Sequence, residues 1–230
     1  MSGPAPVVDV DDPGATDAQA GSSRSDRRRR GRSGRPLPTW LVLLIALLIS
    51  VLVRVFLVGI YAIPTGSMEN TLALGDRVAV AKWRGGDVRR GDVVVFDGAT
   101  TWGPVAGVAP GPLERAIGDV EGHDPANVYI KRVVGVGGDR VTCCDAQHRL
   151  TVNGSALAEP YVYPGDEPSQ TPFDVQVPAG RVWLMGDHRA HSADSRFHTA
   201  SPGGGTVSVD DIIGPVLFRY WPLSGIGSLD

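Results

Sequence analysis

The chain predicts a mainly β protein: an antiparallel β-sandwich or barrel-like domain, preceded by one membrane-crossing helix and a disordered tail. Three observations carry this. Thirty Gly and eighteen Pro among 230 residues punctuate the chain too often for a helical bundle. Short apolar or alternating runs recur between turn signals along its later part. One long apolar run follows an Arg-rich leader.

Residues 1–38 are rich in Gly, Ser, Ala, Asp and Arg, with almost no large apolar side chains before Leu37. Such a segment buries too little surface to offset its ordering entropy, so it reads as a disordered tail. Residues 39–60 read as the transmembrane anchor. Trp40 to Ile60 as a helix is roughly 31 Å long, enough for a bilayer core of ~30 Å, with Arg54 snorkelling at the far end. A cleaved secretory signal also has a basic-then-apolar order, but Ile60 and Ala62 make a poor small-x-small cleavage site. All seven Arg of the tail lie between Arg24 and Arg35. The positive-inside rule therefore keeps the N-terminus cytoplasmic and puts residues 61–230 on the outer face of the plasma membrane.

That outer domain carries fourteen basic and twenty acidic residues. A negative body with a short basic leader does not suit nucleic acid, so no nucleic-acid partner is expected. Its only cysteines, the adjacent Cys143 and Cys144, exclude a disulfide-stapled scaffold and leave free thiols or a vicinal disulfide open.

Strands are expected at Asp76–Trp83, Asp92–Phe96 after the Arg90-Gly91 turn, and Val128–Val136 before Gly137-Gly138-Asp139. Arg149–Val152 leads into Asn153-Gly154, a hairpin turn; Arg181–Met185 and Ile212–Trp221 follow. The Gly/Pro-rich stretches 98–127 and 199–207 read as surface loops or insertions.

Ile63-Pro64-Thr65-Gly66-Ser67-Met68 follows the anchor directly. Ser67 there could attack a carbonyl, with its own amide and the Thr65 hydroxyl holding an oxyanion. Twenty of the twenty-two basic residues are Arg, so each Lys asks what Arg could not do. Lys131 shares a strand face with Tyr129 and Val133. Burial there lowers an amine's pKa and makes it a base, which a guanidinium never is. An edge-strand Lys with its head in water is the competing reading. Lys82, in an alternating strand, reads as exposed. The loop Gly186–Arg196 could orient catalytic groups. It also offers His188 or His191 with Asp194 for a Ser-His-Asp triad, or His188, His191 and His198 with Asp194 for zinc, though the spacing matches no metal motif.

Taken in order, the anchor, Ile63–Met68, Arg90–Phe96, Tyr129–Gly135 and Gly186–Arg196 resemble the bacterial type I signal peptidases, with an actinobacterial-like composition. The resemblance implies a Ser/Lys-dyad endopeptidase without metal or organic cofactor. It would remove signal peptides from secreted preproteins after small residues of the Ala-x-Ala type. Ser67 matches the nucleophile, Lys131 the general base, and Thr65 the hydroxyl of the oxyanion hole. Ser192 matches the hydroxyl that orients the lysine, with Asp194 and Arg196 supporting the same loop. Ile63, Met68 and Tyr129 match walls of the substrate pockets, and Met68 also suits contact with the membrane surface. Lipids would be partners of the anchor, and the secretion machinery only a transient one. His188, Ala190 and His191 depart from the family's usual Asn-Arg-Asp-Asn run, which bears on the loop and not on the dyad. A self-cleaving repressor-type peptidase shares such a dyad, but would carry a DNA-binding segment in place of an anchor. A peptidase dedicated to one substrate and a non-catalytic anchored β module are the other readings.

Overall fold

Eleven strands, all paired antiparallel, form two sheets among the residues that the computed structural model describes, 37–103, 109–121 and 123–229. The first sheet has the order β1-β2-β11-β3-β4-β9-β10 and the second β7-β6-β5-β8. In the first, β1 is Val58–Ala62, β2 Arg77–Ala81, β3 Val93–Asp97 and β4 Val128–Val136. It is completed by β9 (Arg181–Met185), β10 (Val207–Ser208) and β11 (Ile212–Trp221). The second sheet comprises β5 (Arg140–Cys143), β6 (Thr151–Val152), β7 (Ser155–Ala156) and β8 (Phe173–Gln176). The expectation of a mainly β, antiparallel architecture holds.

The apolar run before the first sheet does not stay helical to Ile60. Helix α1 covers Thr39–Leu52, a π-helical turn covers Val53–Leu57, and Val58 already begins β1. The sequence reading extended the helix too far because Val58, Gly59 and Ile60 are apolar in either state. Their pairing with Ala81, Val80 and Ala79 decides for the strand. None of α1 is buried, and Leu43 and Leu47 are 65% and 62% exposed. Among the described residues no helix is long and apolar enough to cross a membrane. The tail reading falls on residues 1–36, outside those described.

Strand β11 joins the two halves of the first sheet. It pairs with β2 through one part of its length and with β3 through the other, with register shifts in both ladders. Bulges of this kind bend a strand and increase its twist. The β1–β2 side packs against β3 and β4. Ile63, Met68, Leu72, Val78, Val80, Val93, Val95 and Ile130 fill the space between them as one core. The nucleophile candidate and the lysine, 64 residues apart, meet at the rim of this core.

Two local predictions fare differently. Asn153 and Gly154, both with positive φ, turn β6 into β7, the hairpin expected from this dipeptide. The stretch 98–127, expected to be loop, contains helix α2 (Pro112–Glu121). Pro112 opens it, and Glu114 reaches back to accept from the Gly111 N–H at 2.8 Å. This is capping-box chemistry, and it was hidden by the Gly/Pro content around it. Cys143 and Cys144 are disulfide-bonded to each other, which closes the choice left open above.

Candidate active site

Ser67 sits in one 3-10 turn, Gly66–Met68, directly after the chain leaves β1 through Ile63 and Pro64. Met68 and Leu72 are fully buried and hold the turn to the core, with the Leu72 N–H donating to the Met68 carbonyl. The Ser67 carbonyl accepts from the His188 N–H at 3.1 Å. That contact needs Gly186, where a Cβ would collide with the Ser67 carbonyl oxygen and the Ser192 side chain. The loop and the Ser67 turn are thereby fixed to each other through backbone.

Lys131 lies inside β4, opposite Val94 of β3, and is 4% exposed. Its Nζ donates to Ser67 Oγ at 2.7 Å and to the Ile130 carbonyl at 3.0 Å. Burial pushes its pKa down to about 8, against the opposing pull of Asp194 and Asp187, while Arg196 adds to the lowering. The apolar-face reading of this lysine therefore prevails over an edge strand with a solvated head. Lys82 is half-buried at the end of β2, not exposed as expected. Thr65 Oγ1 stands 3.3 Å from Ser67 Oγ, so a second hydroxyl flanks that of Ser67.

Asp194 and Arg196 pair through Arg196 Nε and Nη2, both at 2.8 Å, and both residues are buried. Asp194 also accepts from the Gly186 N–H at 3.0 Å, and Arg196 donates to the Arg189 carbonyl at 2.9 Å. The pair thus ties the two ends of the loop together. Ser192 is buried beside Gly186, yet its Oγ has no hydrogen-bond partner among the described residues. The lysine-orienting bond expected of it is not made: Lys131 is directed by Ser67 and Ile130 instead.

Ile63 and Tyr129 line a cleft of about 240 Å³, with Tyr61, Val95, Val128 and Ile130. Met68 does not line it. With no exposed surface, Met68 belongs to the core and reaches neither the cleft nor a membrane. Its side chain anchors the turn that its sequence position suggested it would decorate.

The histidines are engaged elsewhere. His188 Nδ1 lies 3.0 Å from Glu69 Oε2, and its ring stacks on Tyr163. His198 stacks on Trp102, and burial lowers its pKa. The Ser67 hydroxyl bonds described above go to Lys131 and Thr65, so the triad reading gains no support. Among the described residues no group of three or more His, Cys, Asp or Glu side chains is arranged to hold a metal ion.

Sequence reasoning missed a buried pair beside the site. Arg132 donates to Asp187 through Nε at 2.8 Å and Nη2 at 2.7 Å, to the Gly91 carbonyl at 2.7 Å, and lies over the Tyr161 ring. Thr71 Oγ1 completes the carboxylate's shell. The signal was present: a cation on the second apolar face of β4 demands an acid partner.

Residues 37–221 match the family described as signal peptidase, peptidase S26, and the chain belongs to that family of peptidases. It is 38% identical over 211 residues to the signal peptidase I of Mycobacterium tuberculosis (strain H37Rv), covering 80% of this chain and 71% of that one. It is 36% identical over 208 residues to a probable signal peptidase I of Mycobacterium leprae, covering 74% and 72%. These matches bear out the actinobacterial likeness. A solved signal peptidase I from Enterococcus faecalis V583 is 21% identical, covers 56% of this chain and 96% of its own, and superposes with a TM-score of 0.37.

Proposed function

We propose that the chain is a membrane-anchored serine endopeptidase that removes signal peptides from exported preproteins. The observation that carries this reading is the 2.7 Å contact between Ser67 Oγ and a buried Lys131 amine whose pKa is near 8. A neutral amine at that distance takes the hydroxyl proton as Ser67 attacks the scissile carbonyl. The Ser67 amide and the Thr65 hydroxyl hold the oxyanion. Lys131 then protonates the leaving amine and activates the water that releases the acyl-enzyme. The walls formed by Ile63 and Tyr129 take the small side chains before the scissile bond, while Asp194 and Arg196 brace the loop behind the dyad.

The largely exposed apolar surface of α1, behind an Arg-rich leader, supports anchoring with the N-terminus cytoplasmic and residues 61–230 outside. In this arrangement residues 1–38 are the cytoplasmic tail and the helical run is the anchor. Secreted preproteins are substrates, lipids surround the anchor, and the secretion machinery is met transiently.

The test is cleavage of a peptide carrying Ala-x-Ala before the scissile bond by the detergent-solubilised chain. Ser67→Ala is expected to remove the activity while the melting curve stays close to that of the parent; cleavage surviving in this variant ends the reading. The pH profile has a defined sign. The base form of Lys131 grows as pH rises through about 8, so kcat/KM rises with pH and levels off above that value. A profile that levels off near pH 6 would place the base on another group.

A further inference from the structure

The cleft is not walled by the two strands alone. Glu114, Ile117 and Gly118 of α2, with His123 just beyond it, line the same cavity as Tyr61, Ile63 and Tyr129. Local contacts hold the helix and the turn that follows it together. Glu114 closes its first turn, and Gly118 lies so close to the His123 carbonyl and the Pro125 ring that a Cβ would collide with both. Beyond the helix, His123 Nε2 stands 3.5 Å from the Tyr61 hydroxyl, so the segment reaches β1 across the cleft. Ile117 is partly buried at this wall, whereas Leu113 on the preceding turn is 72% exposed.

We infer that α2 forms an upstream specificity subsite, in which Ile117 and Tyr61 receive an apolar side chain of the substrate beyond the small residues next to the scissile bond. This rests on the peptidase reading above. Tyr61 and Ile63 are two residues apart and contact the same core cluster, so they share one side of the chain. A substrate strand lying beside them meets Tyr61 and α2 about two residues further from the scissile bond than it meets Ile63. If the Ile63 wall serves the third-last residue, the α2 wall serves roughly the fifth-last. The lining there sets Ile117, the Tyr61 ring and Val128 beside the polar Arg54, Glu114 and His123, and its Ile117–Tyr61 face is the part that suits a branched aliphatic chain.

The experiment uses the full chain in detergent and two peptides with alanine at the last and third-last positions, differing only in leucine or serine at the fifth-last. The parent is expected to cleave the leucine peptide with kcat/KM about tenfold higher, the scale of a single apolar pocket contact. Ile117→Asp and the milder Ile117→Ser are each expected to bring that ratio close to one. Leu113→Asp, one turn earlier, largely exposed and outside the cleft lining, is expected to keep it. A parent ratio of one, or a ratio unchanged in both Ile117 variants, overturns the subsite and leaves the peptidase reading standing. A uniform fall on both peptides with the leucine preference intact overturns it as well. A parent that cleaves neither peptide removes the peptidase reading, and the subsite with it.

Discussion

Lys131→Arg is expected to lose about 10³-fold or more of kcat/KM, although it keeps the positive charge. Arg cannot give up a proton near neutral pH, so the Ser67 hydroxyl would face a permanent cation where it needs a base. Lys131→Met should be equally inactive but more stable. The native lysine carries a pKa near 8 against an ordinary 10.5, so the protonated form is penalised in the folded state. That penalty, about 3 kcal/mol, is fully present below pH 8 and fades as the pH rises from there toward 10.5. The Met variant should therefore melt higher than the parent at pH 6, with the gap narrowing in alkali. Measuring both variants separates a chemical role from a structural one. Activity retained by Lys131→Arg would refute the amine as base.

The second large effect is on stability. Asp187→Ala is expected to cost about 3–5 kcal/mol, because it leaves the buried Arg132 guanidinium without its carboxylate. For a domain of this size that is about 10 °C in Tm. Replacing both partners together, Arg132→Met with Asp187→Leu, should recover much of the loss, since no charge is then left unpaired in the interior. If the double variant melts as low as the single one, the pair serves through its further contacts with Gly91, Thr71 and Tyr161 more than through its charge. Asp187 also raises the Lys131 pKa, so in any variant lacking it that remains folded, the activity profile should move to lower pH.

What was legible in the sequence depended on local anomalies. Lys131 stood out as an amine on an apolar strand of an Arg-dominated chain, and Ser67 as a hydroxyl in a Pro-Thr-Gly-Ser turn. Strands β4, β9 and β11 were legible because their apolar runs end at strong turn signals. Contacts between distant segments were not. Arg132 meets Asp187 across 55 residues, and nothing near either one names its partner. Met68 was misplaced because an apolar residue beside a nucleophile can face the substrate or the core. Only the position of Leu72, four residues on and packed in the same cluster, decides for the core. Ser192 carries the expected residue type in the expected place, but its hydroxyl direction is a matter of rotamer, which sequence does not encode. Helix α2 was obscured by the Gly and Pro that flank it, although Gly111, Pro112 and Glu114 together spell its start.

Strand β1 follows the π-helical turn without a linker and is held by five paired residues to β2. Ser67 therefore has no slack relative to the helical run before it. In the proposed anchored arrangement the chain would act as a gauge of fixed height, reaching peptide bonds near one level above the lipid. Inserting a few glycines between Leu57 and Val58 would turn that gauge into a leash and should widen the range of heights at which cleavage occurs.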